Sequence, residues 1–227
     1  TNDEVGGAGD QGMMFGYACN DTEELLPTAM VILQKLSKWY DEEQSKNIHL
    51  YPDGKAQITG YYDEKMKLQK IKYFTISYQN DEHNRQETDK LIKDKCREIC
   101  HNYNIEIEEF LINPTGKFLI GGFDGDAGLT GRKIVVDSYQ SFAKVGGGAF
   151  SGKDPSKVDR SGAYKARELA KRYLKKYNLE WCTVQLSYAI GITHPLAIYI
   201  DSNKGNIEVE NSLYEECTPK NIIKDLN

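Results

Sequence analysis

The stretch from Gly121 to Ser161, GGFDGDAGLTGRKIVVDSYQSFAKVGGGAFSGKDPSKVDRS, is the part of the chain around which the rest is organised. It holds two glycine-rich loops, the cations Arg132, Lys133, Lys153 and Lys157, and the carboxylates Asp126 and Asp159. Lacking a Cβ, glycine lets backbone N–H groups close on an anion, whose charge a nearby Arg or Lys then neutralises. Two carboxylates would repel a bare polyphosphate, so their presence calls for a divalent metal between acid and phosphate. The stretch therefore reads as a magnesium–polyphosphate site, suited to a nucleotide. Gly147–Lys153 almost fits G-x-x-x-x-G-K, but Asp154 stands where a P-loop needs a Ser or Thr hydroxyl for Mg²⁺. A P-loop would also follow a strand directly, whereas about ten irregular residues separate this one from the IVVDS segment. The plain alternative is two glycine-rich surface turns carrying solvated charges; it leaves the gathering of four cations and two acids without a reason.

The 227 residues suffice for one large domain or two smaller ones. With 39% apolar and 28% charged residues the composition is that of an ordinary globular protein. A net charge of −5 argues against general nucleic-acid binding, because the cations are local to one stretch. No apolar run approaches the roughly eighteen residues needed to span a membrane, and the beginning of the sequence lacks a signal peptide's charged and apolar regions. Five cysteines, an odd number in a chain too large to need disulfides, fit reduced thiols in the cytoplasm. Cys96, Cys100 and His101 have helical spacing, but a fourth ligand is missing, and packing is favoured over zinc.

Along the chain, residues 1–20 read as a glycine-rich loop leading to a short buried run, Met13–Ala18. Met30, Leu33, Leu36 and Tyr40 recur at helical spacing and predict a helix from Pro27 to about Glu43. Residues 56–62 and 70–78 predict a hairpin. A second amphipathic helix is expected over 82–101 with Asp81 as its cap. Short strands are expected at Ile105–Leu111 and Lys117–Ile120, separated by the NPTG turn. The clearest helix covers 156–177, with Ala163, Ala166, Ala170, Tyr173, Leu174 and Tyr177 on one face and Asp159 and Ser161 at its start. Its N-terminus adds positive potential beside Lys153 and Lys157. Two apolar strands, 183–191 and 196–200, and a polar tail from Lys204 with weak helical character complete the pattern. Strand pairs alternating with helices indicate α+β layers.

The segments GAGDQG (7–12), PDGKAQIT (52–59), NPTGKFLIGGFDGDAGLTGRK (113–133), GGGAFSGKDPSKVDRS (146–161) and QLSYAIG (185–191) resemble, in order, motifs of the S-adenosylmethionine synthetase (methionine adenosyltransferase) family. The resemblance implies an α+β fold of mixed sheets packed with helices, comprising two of the family's three similar subdomains. These are a central domain at 1–119 and an incomplete C-terminal domain at 120–227. It implies a transferase that joins ATP and L-methionine: the sulfur attacks the ribose C5′, and the triphosphate leaves and is hydrolysed to diphosphate and phosphate. Catalytic roles on the triphosphate then fall to Arg132, Lys133, Lys153 and Lys157. ATP would meet Asp53, Lys55, Ser77, Lys117, Phe118, Asp126, Arg132, Lys133, Ala149 and Lys153. Methionine would meet Asp10, Asp126, Lys157 and Ile190, and Asp159 would ligate Mg²⁺. The family implies two Mg²⁺ per site, K⁺, and a homodimer or dimer of dimers with the active site between subunits.

Two features depart from the family pattern. Gly6-Gly7 adds a glycine ahead of the GDQG loop, and Asn80 stands where His is expected. Family chains also carry a His-Pro-Asp-Lys segment that supplies a catalytic His, a second magnesium-binding Asp and a potassium-binding Glu. That segment is not in this sequence, nor is the family's closing segment, so this stretch by itself is expected to lack activity. An alternative reading is a shortened homologue that binds nucleotide or pairs with a complete subunit without catalysing.

Overall fold

The computed structural model describes residues 6–226. Pro27–Gly128 forms one compact unit, and the described residues before and after it form a second. Compactness thus divides the chain elsewhere than at 119/120, because strand pairing joins the N-terminal segment to the far end of the sequence.

In the Pro27–Gly128 unit, helix α1 (Thr28–Gln44) is followed by strands β2 (Gly54–Tyr62) and β3 (Leu68–Tyr78), helix α2 (Arg85–His101) and strand β4 (Ile107–Ile112). β2 and β3 form the expected antiparallel hairpin, and β4 returns parallel to β3, which the intervening α2 allows. Leu68, Ile71, Phe74, Ile76 and Tyr78 of β3 are buried, as are Leu36 of α1 and Ile92, Cys96 and Ile99 of α2.

Two expectations fail here for local reasons. Asp81 does not cap α2; its carboxylate accepts the His83 N–H and pairs with His49 Nδ1 at 3.0 Å. The helix starts four residues later, after Asn84 in the left-handed conformation that Asn tolerates. Lys117–Ile120 joins no ladder. It is held by single bonds, Asn80 N–H to the Phe118 carbonyl (2.9 Å) and Gln79 Nε2 to the Leu119 carbonyl (3.1 Å).

The second unit is built on β1 (Gly12–Cys19), α3 (Val158–Lys176), β5 (Trp181–Tyr188) and β6 (Ala197–Ser202). The strands make an antiparallel sheet in the order β1-β5-β6. Met14 and Ala18 of β1, Cys182, Val184, Leu186 and Tyr188 of β5, and Ile198 and Ile200 of β6 alternate into a core with Ala166, Leu169, Ala170 and Leu174 of α3. At Gly16 the helix lies directly on the strand, so that any Cβ there would collide with the Ala166 backbone. Arg167 spans the same junction, donating to the carbonyls of Tyr17 (2.6 Å), Glu24 (2.8 Å) and Leu25 (3.0 Å). The polar tail folds into two short helices, α4 (Asn211–Glu216) and α5 (Pro219–Leu226), a stronger helical outcome than its sequence suggests.

These end helices are tied to α3 by Lys165, which is only 2% exposed. Its ammonium reaches Glu216 (2.6 Å), Glu168 (3.2 Å) and Asp225 (3.3 Å), and Arg172 shares Glu216 at 2.6 Å. Burial works against the charge on Lys165, but the facing carboxylates outweigh it and raise its pKa. Burial likewise pushes the Glu216 carboxyl up, and Arg172 and Lys165 pull it below its ordinary value.

Gly16→Ala is expected to cost about 1–3 kcal/mol or more in urea denaturation, since the helix has no room to yield without leaving the strand. Glu216 has a depressed folded-state pKa, so its contribution is present above its unfolded pKa and is lost as pH falls through the folded value. Glu216→Gln should therefore lower stability at neutral pH and flatten the acid side of the stability profile below about pH 4.5, read by denaturation across a pH series.

Candidate functional site

The candidate residues fall into two groups, one on each unit. In the second unit, the group forms where α3 begins. Asp159 lies in the first turn of α3, where a carboxylate is favoured by the helix dipole. The glycine-rich loop passes over it: a Cβ at Gly148 would occupy the space of the Asp159 carboxylate, and one at Gly146 would strike the Met13 carbonyl. Phe150–Lys153 then makes a tight turn, closed by the Lys153 N–H on the Phe150 carbonyl at 3.4 Å with Gly152 at φ +76°. The turn brings the Lys153 ammonium onto the Asp159 carboxylate as an ion pair. Lys153 is 27% exposed and Asp159 14%, so both can be reached from solvent.

The expected methionine residues of this unit also converge. Gly191 N–H donates to the Ala8 carbonyl (2.8 Å) and Ala8 N–H to the Ile192 carbonyl (2.9 Å), which joins the Asp10 loop to the residues after Ile190. Gly7 packs so closely on the Gly191 carbonyl that no side chain would fit. An added Cβ at Gly9 would lie 3.6 Å from Lys157 Nζ, so Lys157 flanks the same loop. The Asp10 carboxylate takes the Gln11 N–H (2.8 Å), and Ile190 is 57% exposed. Ala149 is approached by Gly131, whose Cβ would come within 2.8 Å of it, and this sets the exposed Arg132 and Lys133 beside the glycine-rich loop.

On the Pro27–Gly128 unit the group forms at the open end of the hairpin. Lys55 pairs in register with Ser77, and Gln79 N–H donates to the Asp53 carbonyl at 2.8 Å. The Asp53 carboxylate accepts the Gly122 N–H at 3.1 Å, and Gly121 sits against Gln79 and Asp53 too tightly for a Cβ. Phe118, half-buried, is held there by Asn80. Asp53, Lys55, Ser77 and Phe118 are thus brought to one edge. Lys117 pairs with Glu82 at 3.3 Å and is 70% exposed. Asp126 lies on an exposed stretch after a single helical turn, Gly122–Gly125. A cleft of about 140 Å³ opens beside Lys55 and Ser77, walled by Leu36 and Tyr40 of α1 and Ile76 of β3.

Asn80 has a structural role that accounts for its place. It is 3% exposed, its Nδ2 donates to the Tyr78 carbonyl (3.2 Å), and its Oδ1 accepts the Glu82 N–H (2.9 Å). The Cys96 and Cys100 thiols are buried and burial raises both, that of Cys100 to about 12. Among the described residues no group of three His, Cys, Asp or Glu side chains could hold a metal. Asp159 nevertheless suits Mg²⁺, which takes one or two carboxylates and completes its shell with phosphate oxygens and water. Gly148 puts no side chain over this hard oxygen donor, whose charged partner is the Lys153 ammonium.

The central-domain model of S-adenosylmethionine synthetase matches residues 5–118, and the C-terminal-domain model of the same enzyme matches residues 120–227. The chain belongs to the S-adenosylmethionine synthetase family. It is 44% identical over 223 residues to an S-adenosylmethionine synthase of Fusobacterium nucleatum, covering 96% of this chain and 58% of that protein. It is 45% identical over 235 residues to one of Nitratiruptor, covering 97% and 60%. The solved structure of an S-adenosylmethionine synthetase from Campylobacter jejuni superposes with a TM-score of 0.82 at 34% identity, over 96% of this chain and 61% of that one. The chain therefore spans about three fifths of the relatives it matches. Its mixed α+β architecture is that of the family's central and C-terminal domains.

The role of Asp53 in holding Gly122 can be checked directly. Asp53→Ala is expected to speed amide hydrogen exchange at Gly122 while leaving exchange within β3 unchanged, because only the loop bond is removed.

Proposed function

We propose that the protein to which this chain belongs makes S-adenosylmethionine from ATP and L-methionine, releasing the triphosphate and hydrolysing it to diphosphate and phosphate. The observation that carries this reading is the Lys153–Asp159 pair under a glycine-rich loop at the start of α3. The Asp10–Lys157–Ile190 cluster on the same unit supports it, being suited to an amino acid with an apolar side chain.

The reaction has a neutral, weak nucleophile and a leaving group with several negative charges. Its acceleration must come from alignment and from stabilising charge on the triphosphate. Lys153, Arg132 and Lys133 are the cations for that task. Lys157 and the Asp10 and Asp126 carboxylates would orient methionine, the carboxylates through its amine. Asp53, Lys55, Ser77, Lys117, Phe118 and Ala149 would hold the nucleotide, with Phe118 against the base. Asp159 would hold Mg²⁺, which when bound neutralises phosphate charge. A second Mg²⁺ and K⁺ belong to the proposal as family properties, and no residue of this chain is assigned to them.

A homodimer is proposed on the same footing. The face of the β1-β5-β6 sheet turned away from α3 carries Met13, Phe15, Tyr17, Trp181 and Tyr199, with Met13 51% and Tyr199 47% exposed. These residues alternate with Thr183, Gln185, Ser187 and Asp201 on the same face, and the exposed ones among them suit an isologous partner. Among the described residues no helix is long and apolar enough to cross a membrane. A cytoplasmic setting is part of the proposal, with five free cysteines as the reduced thiols expected there.

Calorimetric titration with magnesium tripolyphosphate tests the site. Lys153→Ala should weaken binding by roughly 1.5–3 kcal/mol, the loss of one charge-assisted contact. Equal affinity for both proteins would remove the basis of the site assignment. For the full-length protein, formation of the sulfonium product from ATP and methionine should fall with the same substitution.

A further inference from the structure

Arg160 has no place in the reading above, yet its side chain is built into the turn that carries Lys153. Its Nη1 donates to the Lys153 carbonyl at 2.5 Å, its guanidinium lies 5.7 Å from the centre of the Tyr164 ring, and Tyr164 packs against Phe150 at 5.8 Å between ring centres. Phe150 and Lys153 are the first and last residues of the turn closed by the Lys153 N–H. Both ends of that turn are thereby anchored to a single face of α3, one through the Tyr164 ring and the other through the guanidinium resting on it. Residues 160 and 164 are one helical turn apart, so the stack is a property of the helix face.

We infer that Arg160 is a positioning residue for Lys153: with Tyr164 and Phe150 it fixes the Phe150–Lys153 turn so that the Lys153 ammonium is delivered beside Asp159. The turn needs such a strut. It contains Gly152 and follows Gly146, Gly147 and Gly148, residues with no Cβ to restrict their backbone, and a lysine on a mobile loop loses affinity by having to be ordered on binding. Arginine suits the task where lysine would not. A planar guanidinium can lie over an aromatic ring and still donate at its edge, whereas an ammonium is a point donor on a flexible stem. The inference rests on the reading of Lys153 as a phosphate ligand.

The test is a double-mutant cycle on magnesium tripolyphosphate affinity, read by calorimetry on the chain. Arg160→Met should weaken binding about tenfold, the size of effect seen when the support of a ligand is removed. In the Lys153→Met background the same change should have no further effect, because Arg160 acts through Lys153. Arg160→Lys, which keeps the charge, should lose most of the same factor. If Arg160→Met binds as tightly as the native chain, the inference falls. It falls equally if the loss is the same with and without Lys153, or if Arg160→Lys is indistinguishable from native, which would leave only a general electrostatic or structural role. Should Arg160→Met unfold by circular dichroism, Tyr164→Leu removes the ring beneath the guanidinium and is read by the same criteria; Tyr164 is 47% exposed, so that change disturbs little core. Failure of Lys153→Met itself to weaken binding would instead overturn the site assignment on which the inference stands, a result distinct from the other outcomes.

Discussion

Helix α3 lies against strand β1 with no side chain between them at Gly16, and the second unit depends on that contact. Helices usually pack on sheets with a full layer of side chains between the two backbones. Here the helix descends onto the strand, so Ala166, Leu169 and Ala170 can reach a core made by alternate residues of β1, β5 and β6. The small residues at 162, 163, 166 and 170 follow from the same closeness. Arg167 reinforces it by filling three backbone acceptors at the end of β1 and in the loop beyond. Since β1 and β5 are far apart in sequence, this interface is also what gathers the two ends of the chain into one unit.

The same helix organises the polar chemistry along its length. Its first turn presents Asp159 and Arg160, its second carries Tyr164 against Phe150, and further along it supplies Lys165 and Arg172 to the carboxylates of the end helices. The Lys165 cluster shows how opposite charge keeps an ammonium inside: three carboxylates stand within 3.3 Å of a group whose charge burial opposes. The Lys153–Asp159 pair is of a different kind. It is partly exposed and carried by a glycine-rich turn, so its partners can be exchanged for ligands at modest cost, as a binding site requires.

Much of this was legible in advance, and unevenly. The hairpin, the helices around Leu36 and Ile92, and α3 were clear because their burial is periodic and their neighbours are close in sequence. The start of α2 was not, since Asp81 has two local uses for its carboxylate, and bonding to His83 and His49 prevails over capping. Lys117–Ile120 has the composition of a strand, but it pairs with none, its carbonyls being taken instead by the Asn80 N–H and the Gln79 side chain. At the candidate site, the glycines and cations of residues 121–161 were recognisable as a group. Arg160 was missed: an arginine inside a helix is usually a solvated charge, and nothing local shows that its guanidinium meets the carbonyl of a residue seven positions earlier.

By itself the sequence determined the inventory: most of the helical and extended segments, a glycine-rich stretch that gathers cations and carboxylates, and, through long matching motifs, the family. These follow from periodicity, composition and local backbone preference, which act over a few residues. The tertiary structure decided what meets what. It joined β1 to β5, set the Asp10 loop beside Lys157 and Ile190, placed Gly148 over Asp159, and turned Lys153 onto that carboxylate. Each of these depends on contacts too close for a side chain or on bonds between distant residues. Such contacts are settled only when sheet, helix and loop compete for the same space.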